Sequence, residues 1–189
     1  PDFKIVPFRG EYYRLNSSYD NYFNHLIYPV PDPSLPFLGV HFTPQTKGFT
    51  TIGPSAVLAL AREGYNWLTI NPRDCLEVAF YKPFWKIIKK HYKATWKELQ
   101  SSILPRYYLK QIQTYFPQIS MQDISRYPAG VRAQAVDKEG NLMKDFYFEN
   151  SERILHVCNA PSPAATSSLP IGRYVISNFK ENLMSKPSF

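Results

Sequence analysis

This sequence has few cysteines, and its histidines do not cluster, which limits the kinds of site it can form. The two cysteines, Cys75 and Cys158, lie far apart, and the four histidines form no group with metal-ligand spacing. A zinc or iron enzyme is therefore disfavoured. Free thiols in a reducing compartment are the simplest interpretation of the two cysteines.

Long apolar runs and common catalytic signatures are also missing. No stretch approaches the ~20 apolar residues that a membrane-spanning helix needs, and no secretory signal is recognisable. The Gly-x-Ser-x-Gly turn of many serine hydrolases is absent as well. We therefore expect a cytoplasmic protein, or a mitochondrial one if its source is eukaryotic.

Hydrophobic and aromatic residues, by contrast, are plentiful. They make up 44% and 16% of the 189 residues, which is ample for a folded core. At this length we expect one domain, or one domain and part of another.

Acidic residues are missing from one segment, residues 82–97, which carries six lysines. Without those six lysines, 16 basic residues would face 15 acidic ones, so the segment supplies most of the net charge of +7. Apolar residues recur there at every fourth position, which predicts a basic amphipathic helix. The recurring residues are Phe80, Phe84, Ile88, Tyr92 and Trp96.

The predicted basic helix leaves three roles open. It can be a solvated cap whose aromatic stripe packs on the body of the protein. It can instead make peripheral contact with an anionic membrane, such as the inner face of the cytoplasmic membrane. Nucleic acid is the least favoured partner, because no groove-reading motif accompanies the aromatic residues.

Secondary-structure patterning predicts an α+β fold. Short apolar runs separated by turn residues indicate strands over residues 4–52, with a hairpin tip at Lys47 and Gly48. Helical patterning follows from a predicted cap at Asn71 to about residue 116. Strand character returns at residues 130–136, 146–148 and 154–157, before a final helix over residues 169–183.

Residues 158–166 read Cys-Asn-Ala-Pro-Ser-Pro-Ala-Ala-Thr and join a predicted strand end to a predicted helix start. Small residues at such a point let the backbone approach a ligand closely. Free N–H groups and the positive end of the helix dipole there favour an anion or an electron-rich ring. An ordinary connector between strand and helix is the competing interpretation.

Arg132 is the second candidate feature. It follows Pro128 and Gly130 in an alternating, strand-like run. An arginine held on a strand presents a planar fork that matches a carboxylate. A surface arginine without a ligand is the competing interpretation.

These two segments and three others carry a family resemblance. Together they resemble the C-terminal half of the L-2-hydroxyglutarate oxidases/dehydrogenases, which belong to the FAD-dependent D-amino-acid-oxidase-like superfamily. Residues 82–97 match that pattern least well. The five matching segments are residues 7–15, 25–33, 37–43, 128–135 and 158–166.

The resemblance implies an organisation in two parts. Residues 1–127 would form an antiparallel substrate-binding sheet with covering helices. Residues 128–189 would form the C-terminal portion of the FAD-binding domain, with its last strand and helix. The Gly-x-Gly-x-x-Gly turn that holds the FAD pyrophosphate in complete members is absent here. We therefore expect a fragment that lacks its N-terminal FAD-binding half and is inactive in isolation.

The resemblance also implies a reaction, the oxidation of L-2-hydroxyglutarate to 2-oxoglutarate by hydride transfer from C2 to FAD. Such an enzyme must hold two carboxylates and accept a proton from the hydroxyl group. Arg132 matches the superfamily arginine that clamps the substrate carboxylate. The other substrate-binding candidates are Arg9, Arg14, Arg62 and Tyr28.

Each of these candidates has a structural alternative. Arg9 can form an ion pair with Glu11 instead, and Arg62 can be a charge at a helix end. His41 is the candidate proton acceptor, because histidine titrates near neutral pH. A structural histidine is the alternative, His25 has the same ambiguity, and the true base can lie in the missing half.

The implied cofactor is FAD, bound through Gly130 and the small-residue loop. An FAD-dependent amino-acid or glycine oxidase-like enzyme remains an alternative. A non-catalytic, membrane-associated binding module is the alternative from a different class. The cofactor-binding candidates are Gly130, Asn159, Ala160, Pro161, Ser162, Pro163, Ala164, Ala165 and Thr166.

Overall fold

The chain has a mixed α+β architecture, as the sequence predicts. A computed structural model describes residues 2–30, 39–151, 153–160 and 164–184. Within those ranges the strands are β1 (Phe3–Leu15), β2 (His41–Pro44), β3 (Thr50–Gly53), β4 (Val57–Leu58), β5 (Ile124–Asp137), β6 (Tyr147–Asn150) and β7 (Leu155–Asn159). The helices are α1 (Pro72–Ala79), α2 (Lys82–Lys90), α3 (Tyr92–Ile103), α4 (Pro105–Gln113) and α5 (Ser168–Met184).

β1 is the central strand of an antiparallel sheet formed by β1 to β5. β5 pairs with β1 along its whole length, while β3 and β4 pair with β1 over shorter stretches. β2 extends the sheet beyond β3. The β1–β5 register shifts between Gly10 and Tyr12, and the candidate site described below lies beside that irregularity.

The hairpin between β2 and β3 turns at the predicted position. Gly48 has a φ of +88°, and its N–H donates to the carbonyl of Gln45 at 2.9 Å. A β-carbon on Gly48 would lie 3.0 Å from the side-chain oxygen of Asn21. Glycine is therefore favoured there by both the backbone conformation and the available space.

The sheet packs on helices through two hydrophobic clusters. In one, Tyr13, Leu15, Phe42 and Ile52 of the sheet meet Tyr108 and Ile112 of α4. In the other, Val6, Phe8 and Val136 of the sheet meet Val78, Phe84 and Ile87 of α1 and α2. The two clusters place α1, α2 and α4 against the sheet, with the irregularity in β1 between them along that strand.

The start of α1 confirms the predicted cap. The side-chain oxygen of Asn71 accepts hydrogen bonds from the N–H groups of Arg73 and Asp74, at 3.0 and 3.4 Å. Pro72 occupies the first turn, where its missing N–H removes no helical hydrogen bond.

The basic segment is two helices, so the prediction of one continuous helix is wrong. His91, with φ −113° and ψ +28°, ends α2 and precedes α3, which turns the apolar stripe out of line. Phe84 is buried, but Phe80, Tyr92 and Trp96 are 82%, 60% and 60% exposed. The prediction that the stripe packs on the body is therefore wrong for these three residues.

The C-terminal part consists of the β6–β7 hairpin and α5. The rings of Phe146, Phe148 and Tyr174 join the hairpin to the helix, with centroids 5.7 to 5.9 Å apart. β7 extends two residues beyond its predicted end, because Asn159 still pairs with Tyr147 of β6. The predicted helix start is confirmed, since α5 begins at Ser168.

The predicted boundary between residues 127 and 128 stays a prediction. It falls inside β5, which runs across that position without a break. Both parts of β5 pair with β1, so the strand itself belongs to one sheet.

Candidate active site

A cavity of about 330 Å³ lies where β1 and β5 pair, beside the irregularity at Gly10. A loop formed by residues 54–56 closes one wall. A β-carbon on Gly10 would come within 2.8 Å of the side chain of Pro54, so glycine permits this close approach. The predicted site residues that line the cavity are Arg9, His41, Gly130 and Arg132.

Arg132 reaches the cavity from β5, where its backbone lies opposite Phe8 of β1. Its side chain is exposed, so an anionic ligand has access to it. Burial raises the pKa of Tyr12, and the positive charge of Arg132 opposes that rise. The charge of Arg132 therefore acts on Tyr12, which also lines the cavity.

Arg9 is held much more tightly, and only 1% of it is exposed. Its Nε and Nη2 atoms donate to Oε1 of Glu11 at 3.2 and 3.0 Å. Its guanidinium carbon lies 4.3 Å from the centroid of the Trp67 ring. The ion pair with Glu11 is thus present, yet Nη1 is buried without a hydrogen-bond partner among the described residues.

Two residues of α3 support the cavity wall from behind. Ser102 donates a hydrogen bond to Oε2 of Glu11, and Glu98 accepts one from the N–H of Ala56 at 2.9 Å. Positions four residues apart share one face of a helix, so α3 reaches both points at once. Burial raises the pKa of Glu98, and the Ala56 N–H only partly opposes that rise.

His41 lines this cavity and an adjoining one of about 380 Å³. Its ring stacks on that of Tyr28 with centroids 4.4 Å apart, and its Nδ1 lies 3.1 Å from the carbonyl oxygen of Gly39. Burial lowers the pKa of His41, and the Gly39 carbonyl opposes this more weakly. A neutral ring that donates from Nδ1 to Gly39 presents Nε2 as a proton acceptor.

Tyr12 lines the cavity although it was not among the candidate site residues. It lines both cavities, as His41 does, and its backbone lies opposite Tyr127 of β5. Aromatic residues are common in strands, so Tyr12 carried no local signal of function. The sheet pairing brings Tyr12 into a lining that it shares with His41 in both cavities and with Arg132 in the first.

Three other candidates lie elsewhere. Arg62 pairs with Glu77 at 2.7 Å and with Asp74 at 3.8 Å. The guanidinium of Arg14 lies 4.3 Å from the ring centroid of Phe49. The structure does not bring Arg62, Arg14 or His25 into the lining of either cavity.

The small-residue loop belongs to the C-terminal part. Asn159 is buried at the end of β7 and donates its amide to the carbonyl oxygen of Asp145 at 2.6 Å. Ala160 and residues 164–166 are exposed, while Pro161, Ser162 and Pro163 lie outside the described residues. No described residue of the loop lines either cavity, so among the predicted cofactor-binding residues that the structure describes, Gly130 alone is found there.

Neither a metal site nor a membrane span is found in the described part of the chain. Its histidines, cysteines and acidic residues form no group of three or more that could hold a metal ion. None of its helices is long and apolar enough to cross a membrane.

Comparison with known families covers most of the chain. Residues 1–177 match the family model described as FAD dependent oxidoreductase, and this range contains every residue that lines the cavity. The chain belongs to this FAD-dependent oxidoreductase family. The resemblance seen in the sequence is thereby confirmed at the level of the family.

Similar curated proteins are L-2-hydroxyglutarate dehydrogenases. The Escherichia coli K12 protein is 45% identical over 186 residues, which cover 98% of this chain and 44% of that protein. The mitochondrial protein of Caenorhabditis elegans is 49% identical over 181 residues, covering 93% and 42%. That of Mus musculus is 45% identical over 180 residues, covering 93% and 39%. The chain thus spans about two-fifths of the length of these relatives.

Proposed function

We propose that the chain is the C-terminal part of an FAD-dependent enzyme that oxidises L-2-hydroxyglutarate to 2-oxoglutarate. The convergence of Arg9, His41 and Arg132 on one cavity carries this proposal. Two cations match the two carboxylates of a 2-hydroxy dicarboxylate. A neutral histidine can accept the hydroxyl proton that must leave during oxidation. Membership of the FAD-dependent family and the names of the relatives support the same chemistry.

In this proposal each cavity residue has one task. Arg132 binds the carboxylate next to the reacting carbon with a two-point fork. Arg9 donates Nη1 to the distal carboxylate, so that both ends of the substrate are held and C2 is oriented. His41 takes the hydroxyl proton on Nε2 while C2 loses a hydride and becomes the carbonyl carbon. When bound, FAD supplies the acceptor for that hydride.

The described residues fit one edge of a flavin site. Ala160 and residues 164–166 are small and exposed, and the 17-residue helix α5 begins shortly after them. N–H groups at a helix start favour negative charge, such as that of a reduced flavin. The sequence contains no Gly-x-Gly-x-x-Gly turn, so we propose that an N-terminal half of the parent protein supplies the pyrophosphate site.

The proposal is tested by assaying the full-length protein that carries this chain, loaded with FAD, with an artificial electron-acceptor dye. We expect dye reduction with L-2-hydroxyglutarate and little with the D-enantiomer. Preferential oxidation of glycine or another amino acid would contradict the proposal in favour of an amino-acid oxidase-like enzyme. Absence of any oxidation by the FAD-loaded protein would favour a non-catalytic binding module.

We further propose that the surface formed by residues 82–97 contacts anionic membranes. Trp85, Tyr92 and Trp96 are 48%, 60% and 60% exposed there, among six lysines. Exposed aromatic rings beside lysines suit the interface between lipid and water. The location that we propose is the inner face of the cytoplasmic membrane, or a mitochondrial membrane in a eukaryote.

Co-sedimentation with vesicles rich in phosphatidylserine tests this membrane contact. Each lysine near an anionic surface contributes about 1 kcal/mol, so replacing Lys89, Lys93 and Lys97 by Glu should release the protein into the supernatant. The control replaces three exposed lysines outside the surface, Lys47, Lys110 and Lys144, by Glu. A wild-type protein that stays in the supernatant at low salt would overturn the membrane contact.

A further inference from the structure

Arg9 is a charged group of the cavity wall that several specific contacts hold in place. Three of its features are unusual together: almost complete burial, an ion pair with Glu11, and stacking on Trp67. We infer that Glu11 and Trp67 are positioning residues that aim Arg9 at the second carboxylate of the ligand. This assembly then makes the cavity prefer dicarboxylates to monocarboxylates. The inference rests on the proposed function, because it concerns how the same cavity selects its substrate.

The unpaired nitrogen of Arg9 is the first step of the argument. Nε and Nη2 are occupied by Glu11, whereas Nη1 is buried and has no partner among the described residues. A buried, charged donor without an acceptor destabilises a folded protein, so such a group calls for a partner. Because Arg9 lines the cavity, an anionic group of the ligand is the partner that its location favours.

Fixed orientation is the second step. Glu11 is itself held at three points: its Oε1 accepts from Arg9, its Oε2 accepts from Ser102, and its N–H donates to Oγ of Ser55 at 3.2 Å. Trp67 covers the guanidinium from another side at 4.3 Å. A donor that is already oriented loses little conformational freedom when a ligand binds, which favours affinity and discrimination.

Charge balance is the third step. Glu11 offsets the positive charge of Arg9, so general attraction of anions falls mainly to the exposed Arg132. The contribution of Arg9 is then directional, through one hydrogen bond at a defined place. A lysine at position 9 keeps the charge but lacks the rigid, planar group that can donate hydrogen bonds to Glu11 and to a ligand at once.

The test compares two substrates of the FAD-loaded, full-length protein. L-2-Hydroxyglutarate carries the distal carboxylate, and L-2-hydroxyvalerate carries a methyl group in its place. Arg9→Lys should lower the ratio of their kcat/KM values at least about 10-fold, because one charge-assisted hydrogen bond is lost. Glu11→Gln and Trp67→Leu should lower the ratio in the same direction.

Two outcomes of this comparison overturn the inference. Equal losses on both substrates in Arg9→Lys would show that Arg9 does not contact the distal carboxylate. A lowered ratio in Arg9→Lys with equal losses in the other two variants would remove Glu11 and Trp67 from the positioning role. Arg106→Lys, an exposed arginine on α4 outside both cavities, is the matched control and should leave the ratio unchanged.

A binding measurement separates this inference from the proposed reaction. Calorimetric titration with glutarate and with valerate, neither of which carries the reactive hydroxyl group, reports the preference without turnover. If the wild type prefers glutarate and Arg9→Lys, Glu11→Gln and Trp67→Leu each weaken that preference, the inference holds even where 2-hydroxyglutarate is not oxidised. If the wild type shows no preference for glutarate, the inference is overturned. Should Arg9→Lys fail to fold, Trp67→Leu at a half-buried position carries the same comparison.

Discussion

The sheet formed by β1 to β5 and the C-terminal part formed by β6, β7 and α5 differ in how they hold their candidate functional residues. In the sheet, Arg9 is buried and has partners on β1 and in the loop before α1. On α5, apolar side chains such as Leu169 and Ile176 are exposed instead, at 79% and 52%. The cavity lining is therefore formed within this chain, whereas the C-terminal part exposes apolar surface.

This difference agrees with the proposed roles of the two parts, substrate binding by the sheet and contact with the flavin by the C-terminal part. Exposed apolar surface on a helix is typical of a contact region. If the parent protein supplies the rest of the FAD site, the exposed apolar side chains of α5 can pack against that half.

The largest expected effect concerns flavin retention. The isolated 189-residue chain should purify without FAD and without 2-hydroxyglutarate turnover, because its sequence lacks the dinucleotide fingerprint that provides most of the cofactor binding. The full-length protein should purify with FAD. Flavin absorbance of the two preparations is the measurement, and a stoichiometric flavin signal in the isolated chain would contradict the comparison drawn above.

The next effect concerns the proton acceptor. In the full-length protein, His41→Asn should lower kcat/KM about 100-fold, within the range for loss of a general base. Wild-type kcat/KM should rise with pH as His41 loses its proton, at an apparent pKa below the ordinary ~6.5, because burial lowers the pKa.

The pH profile distinguishes His41 from His25. The rise on the acid side should vanish in His41→Asn and persist in His25→Asn, since His25 is exposed and lines neither cavity. An unchanged acid limb in His41→Asn would exclude His41 as the base.

A smaller effect is expected at the carboxylate clamp. Arg132→Lys keeps the charge but loses the two-point fork, so kcat/KM should fall at least about 10-fold in the full-length protein. The FAD content should not change. Arg126→Lys, an exposed arginine on the same strand, is the control. Wild-type kinetics in Arg132→Lys would remove Arg132 from the clamp.

The smallest effect concerns stability behind the cavity wall. Burial raises the pKa of Glu98 in the folded protein. Ionisation of Glu98 therefore destabilises the fold as the pH rises above the ordinary pKa of a glutamate. Glu98→Gln removes that charge and keeps an acceptor for the Ala56 N–H. Thermal denaturation should show equal stability near pH 4 and a variant that is more stable by a few degrees at pH 8, since about 1 kcal/mol shifts Tm by roughly 2–4 °C at this size. A constant difference across that pH range would show that Glu98 ionises normally.

Local features were predictable from the sequence because their causes are local. The turn at Gly48 depends on one left-handed backbone conformation, and the cap of α1 depends on Asn71 and Pro72 alone. The family was also recognisable, since the matching segments keep their order along the chain. The break at His91 was not predictable, because spacing of apolar residues continued through it and only packing against the sheet decided which of them were buried.

Arg9 and Arg62 show most clearly what the sequence predicts and what only the tertiary structure decides. Both arginines stand near a glycine and a glutamate in the sequence, and both were candidates for the second carboxylate. The sequence by itself determined the residue types and the cations available to the site. The pairing of β1 with β5 buried Arg9 beside the cavity, and the position of α1 gave Arg62 two carboxylates on the surface. Which of the two arginines lies at the cavity depends on contacts between distant segments, and no local propensity encodes those contacts.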